Sequence, residues 1–199
     1  MDGIPCMAPV PGNARCRIVE GTVTTLLSVL VLACFVVVPA AAQDPKPTIE
    51  TLRARAQERM RQDLSIYSRE DLRALEELYQ SANRDLRAPG AKAVLDRVVK
   101  DYPKSNRAGS AVLYLAQLSS GAEREKYLKA AIKDHGDTWY GNGVQVGALA
   151  RAQLASYYAA IDKMSDAKKL AKEVEERFPG AVDHGGRPLV DMLRGLNLL

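Results

Sequence analysis

Leu95-Asp96-Arg97-Val98-Val99-Lys100-Asp101-Tyr102-Pro103 is a phrase that the chain writes three times. It returns as Leu128-Lys129-Ala130-Ala131-Ile132-Lys133-Asp134-His135-Gly136, and again as Ala171-Lys172-Glu173-Val174-Glu175-Glu176-Arg177-Phe178-Pro179. Each copy is an amphipathic helical turn that runs into an aromatic ring and then a helix breaker. The phrases start at 95, 128 and 171, so the intervals are 33 and 43 residues, close to the spacing of helical-hairpin repeats. Such a repeat is a scaffold, and scaffolds of this kind bind other proteins far more often than they catalyse.

Working toward the N-terminus, the chain is uncharged from Gly21 to Gln43 and almost wholly apolar from Leu26 to Val38. Arg15 and Arg17 precede the run, and Pro39-Ala40-Ala41-Ala42-Gln43 follows it. Small residues at 40 and 42 suit a signal peptidase, so residues 1–42 read as a secretory signal cleaved after Ala42. An uncleaved membrane anchor is the competing reading, although the apolar core is shorter than the roughly 20 residues a spanning helix needs. Val31-Leu32-Ala33-Cys34 also resembles a bacterial lipobox, which would place a lipid on Cys34. Against it, Phe35-Val36-Val37-Val38 continues the apolar run where a lipoprotein turns polar.

Cys6, Cys16 and Cys34 are the only cysteines, so a chain starting at Gln43 has neither a disulfide nor a thiol. Its stability must come from packed helices. With 28 basic and 24 acidic residues the net charge is +4, and both signs alternate along helical faces. Nucleic acid calls for a one-signed stripe, so it is not expected as a partner.

Residues 43–67 read as a short Pro-containing leader and a helix. Ile49, Leu52, Ala56, Met60 and Leu64 share one stripe of it, to serve either as a capping helix on the first repeat or as a short coiled coil. Residues 68–199 read as the repeat domain. Ser68 starts a helix with Glu70 and Asp71 at its positive end. The first hairpin is 69–84 with 91–102. The second opens at Ser105 or Asn106 and returns over 122–135. The third is 143–161 with 166–178. A last helix over 187–198 caps the end, with Pro188 in its first turn. No stretch alternates with period two, so the fold is expected to be all-α: about three helical hairpins between two capping helices.

Leu154, Ala155, Tyr158, Ala167, Ala171, Val174, Phe178 and Pro179 carry a likeness. The pattern resembles the tetratricopeptide repeat (TPR) family, which sets a large apolar residue, a small one and a tyrosine on its first helix, and small residues and a final proline on its second. The first hairpin matches less fully, and the second departs from the pattern at Arg124 and Gly136. About ten extra residues, around Trp139 to Gly147, interrupt a regular superhelix between the second and third hairpins. With the export signal, the chain is similar to the periplasmic and outer-membrane TPR proteins of bacteria, such as the β-barrel-assembly TPR lipoprotein and the TPR protein associated with the Tol–Pal system.

That resemblance implies an exported adaptor binding a protein or peptide in the cell envelope, with no cofactor. The alternative is an anchored or lipidated structural subunit in outer-membrane or cell-wall assembly, and an enzyme stands third. It also implies a concave groove lined by first helices. Position by position, this groove would offer Arg73, Glu76, Gln80, Asn83 and Arg84, then Asn106 and Gln117, then the small residues Ala152, Ser156 and Ala159.

Other residues weigh less. His135 aligns with Tyr102 and Phe178 and fills a repeat's aromatic position. His184-Gly185-Gly186 lacks the Gly-x-Ser-x-Gly elbow an esterase needs. Gly141 to Gly147 is not a phosphate loop, since no strand precedes it. Two histidines in separate repeats make no metal site. Trp139-Tyr140 either staples the extra loop to a neighbouring helix or touches a partner.

Overall fold

The computed structural model describes residues 47–199; the signal segment, Cys34 and the cleavage point lie outside the described residues. The chain divides into two units, Met1–Ala42 and Gln43–Leu199, and the core residues among the described ones belong to the second.

Among the described residues the fold is all-α. Helix α1 spans Ile49–Gln62 and ends in a 3-10 turn, Asp63–Ser65. Then come α2 (Arg69–Asn83), α3 (Ala91–Asp101), α4 (Asn106–Gln117), α5 (Gly121–Asp134), α6 (Val146–Ala160), α7 (Met164–Arg177) and α8 (Leu189–Gly195). From α2 to α8, each helix packs on those beside it in sequence. Local chemistry sets the starts. Ser68 Oγ accepts the Asp71 N–H at 3.0 Å and Asp71 accepts the Ser68 N–H at 3.2 Å, a reciprocal cap that begins α2 without help from α1.

The three recurring phrases end their helices alike. Tyr102, His135 and Phe178 are the C-cap residues of α3, α5 and α7, with φ of −130°, −133° and −136°. His135 is buried, as its alignment with two aromatic residues requires.

One core cluster joins α2, α3 and α4 through Leu75, Tyr79, Leu95, Val98 and Leu115. A larger one runs from α4 to α8 through Leu113, Leu128, Leu154, Ala167, Leu189 and Leu193. Helix α6 lies in the middle of it and is covered nearly all round, which is why it is built of Ala, Gly and Leu. Its buried exception, Arg151, is fully engaged. The guanidinium lies 5.2 Å from the Phe178 ring, donates to the Gly147 carbonyl at 2.9 Å and pairs with Glu173 at 3.1 Å.

The extra residues around Trp139 to Gly147 are a built turn, and it occurs twice. In the first copy Tyr140 N–H donates to Val144 O, Gly143 N–H to Tyr140 O, and Val146 N–H to Thr138 O. In the second, Asp183 N–H donates to Arg187 O, Gly186 N–H to Asp183 O, and Leu189 N–H to Ala181 O. All five positions are shifted by 43. Gly143 (φ +92°) and Gly186 (φ +80°) occupy the left-handed corner that glycine enters without a Cβ penalty. The helix expected from 143 is thereby corrected: Gly143–Gln145 close the turn, and α6 begins at Val146. Likewise Pro188 precedes α8, rather than lying in its first turn.

Helix α1 is not a cap on the first repeat. Leu52 and Ala56 form a separate small core with Trp139, joined by Ile49 and Val182. Thus α1 lies across the links between helix pairs. Pro47 meets Gly180, Leu52 meets Gly143, Met60 meets Gly141, and Arg59 donates to the Lys104 carbonyl at 3.2 Å. Reading α1 from its start therefore visits the last link first.

Candidate functional site

The row expected on α2 is a physical unit. Leu75, Tyr79 and Ala82 take the inner face of α2. That leaves Arg73 and Arg84 exposed, with Glu76, Gln80 and Asn83 half-buried between them. Asn83 donates to Gln80 at 3.2 Å, and Gln80 donates to Glu76 at 2.7 Å. Arg107 of α4 completes the row with a two-pronged grip on Glu76, both bonds 2.7 Å. Its guanidinium also lies 4.6 Å from the centre of the Tyr79 ring. Burial alone would raise the Glu76 carboxyl, but the Arg107 and Gln80 hydrogen bonds outweigh it and hold it below the ordinary carboxylate range. Glu76 is therefore a tethered anion that fixes Gln80 and Arg107, flanked by two exposed arginines.

Nothing local in the sequence marks Arg107. It lies 31 residues from Glu76, and only the packing of α4 on α2 brings them together.

The rest of the expected groove is filled by the protein itself. Asn106 is buried, and its side-chain amide pairs with one backbone position. It accepts the Trp139 N–H at 2.7 Å and donates to the Trp139 carbonyl at 2.6 Å. Asn106 thus fixes the first turn, and this corrects its place among the groove residues. Thr138 packs so closely on Gly109 that no side chain fits there. Gln117 is exposed at the end of α4, while Ala152 is buried and Ser156 and Ala159 are half-buried on α6. The Ser156 hydroxyl donates back to the Ala152 carbonyl at 2.9 Å.

Trp139 and Tyr140 are also inside, at 8% and 6% exposure, so the turn holds them as anchors instead of presenting them to a partner. Trp139 sits under α1. The Tyr140 hydroxyl donates to the Ser110 carbonyl at 3.3 Å, and its ring meets Tyr114 at 5.8 Å and His184 at 4.5 Å, edge to face both times. The His184 contact joins the first turn to the second. Burial lowers the His184 pKa, as it does that of His135.

A small cleft lies beside the end of α1, among Arg59, Lys104, Asp134, His135 and Asp137. Its charges are balanced, and Arg59 already binds Asp63 at 2.7 Å and faces Asp137 at 3.4 Å. No cluster of three metal-ligating side chains occurs among the described residues, and none of the described helices is long and apolar enough to cross a membrane. In comparisons with known proteins, no family model, curated protein or solved structure matches the chain.

Proposed function

We propose that the chain is an exported adaptor of the tetratricopeptide-repeat kind, which binds an acidic or extended polar segment of a protein in a bacterial envelope. The observation that carries this reading is the outward row of α2. Arg73 and Arg84 are exposed at its two ends, and the amides and carboxylate between them are held in fixed orientation. Guanidinium groups grip carboxylates in a forked geometry, and amides pair with an extended backbone. A row already ordered before binding loses less side-chain entropy when a ligand arrives. What supports the repeat reading is recurrence: three helix ends of one conformation and a turn repeated after 43 residues.

Affinity capture tests it. Immobilised Gln43–Leu199 should retain an envelope protein from a bacterial extract, and an acidic peptide should release it. An empty column, or a retained protein indifferent to the acidic peptide, would contradict the proposal.

A further inference from the structure

Helix α1 is attached in a way that does not tie it to its own chain. Leu52 and Ala56 supply its buried apolar contacts, on Trp139 and Val182. Arg59 and Asp63 supply the polar lock, on Lys104 and the Asn106 N–H. All the receiving groups lie at least 43 residues further along (Asp63 to Asn106), in the links between helix pairs. Helix α2 starts on its own reciprocal cap, so it does not depend on α1 for its first turn.

Isolated helices of about 12–15 residues are marginal in water. With 14 residues and two buried side chains, α1 needs the face it lies on, and without α1 that face would leave Trp139 uncovered. The connector between α1 and α2 carries two of the large apolar side chains left exposed, Leu64 at 55% and Ile66 at 48%. Inside one chain more than half of Leu64 stays exposed, and Ile66 only edges the small cleft beside Pro103 and His135.

We propose that α1 exchanges between two copies of this chain. The α1 of one copy docks on the links of the other, and the exposed Leu64 and Ile66 meet where the two connectors cross. Exchange keeps the contacts of Leu52, Ala56, Arg59 and Asp63, opens the turn in which the Ile66 and Tyr67 N–H groups donate to the Asp63 carbonyl, and adds burial at the crossing, so it is favoured at high protein concentration. This inference is independent of the adaptor reading.

A mixing experiment reads it directly. Gln43–Leu199 contains no cysteine, and a β-carbon at Gly143 would lie 3.0 Å from Leu52 Cβ. One preparation carries Leu52→Cys and the other Gly143→Cys. After mixing, refolding and oxidation, a disulfide-linked species of twice the chain mass should appear on a non-reducing gel. It should not form when Glu58→Cys, on the exposed side of α1, replaces Leu52→Cys. Two folded preparations that fail to cross-link overturn the proposal. Because cysteine at Gly143 is strained, light scattering on the unsubstituted unit supplies a second reading. A dimer whose fraction falls in the Leu64→Ser/Ile66→Ser variant supports exchange. A unit that stays monomeric at its solubility limit, or a dimer indifferent to those changes, refutes it.

Discussion

The Asp63 carboxylate accepts the backbone N–H of Asn106 with both oxygens, at 2.8 and 3.1 Å, and so caps α4 from a helix 43 residues upstream. The same carboxylate holds Arg59 at 2.7 Å. One buried acid therefore fastens α1 and starts α4. Asp63→Ala should destabilise the fold by about 1–3 kcal/mol, since it leaves a buried N–H unpaired and Arg59 without its nearest anion. Denaturant titration measures this, and an unchanged midpoint would mean that the cap is idle.

Gly109 reverses the ordinary effect of an alanine in a helix. Glycine there normally costs roughly 0.5–1 kcal/mol relative to alanine. Here a β-carbon would run into Thr138 Oγ1, and Thr138 is fixed by donating to the His135 carbonyl at 2.7 Å. Gly109→Ala should therefore lower the thermal midpoint, and Gly109→Ala with Thr138→Ala should recover part of the loss. A stabilised single variant would show that the first turn can move away from α4.

Ala167 is wholly buried where α7 packs on α6. Ala167→Leu should cost about 1–3 kcal/mol by overpacking. Thermal melting decides it, and an unaltered midpoint would mean that α6 and α7 are not close-packed there.

Burial lowers the His135 pKa, and the nearby Arg59 adds to the effect, against the opposing pull of Asp134 and Asp137. A folded value below the ordinary 6.5 means that the unfolded chain binds the proton first. Stability is full above pH 6.5 and falls as the pH drops through the folded value. His184 is lowered too, and adds to the same slope. His135→Phe, which copies the residue at Phe178, should flatten the loss of thermal stability on acidification and leave a residue due to His184. An identical pH profile in the variant would contradict this assignment.

Much of the helical layout was legible in the sequence, because periodicity, caps and breakers act locally. Ser68 and the aromatic helix ends are examples. In the sequence the turn after α5 looks like an irregular insertion, because its repetition is a pattern of backbone bonds. Side chains differ at most of its positions, and only the glycines at 143 and 186 are shared at its corner. The place of α1 was not legible either. A stripe of Leu52 and Ala56 says that a helix needs a surface, but that surface consists of Trp139 and Val182, far along the chain. On the candidate site, the α2 row was legible as a helical face. Arg107, which orders it, was not. Asn106 turns inward because its amide meets Trp139, and of the two readings of Trp139-Tyr140 the burial of both rings agrees with the staple.

The central claim is that the exposed arginines of α2 engage an acidic or polar partner segment. Calorimetry of Arg73→Ala/Arg84→Ala against the captured partner tests it most directly. The double variant should keep its stability within about 0.5 kcal/mol per exposed site and bind the partner more weakly. Full partner affinity in a folded double variant would contradict the account.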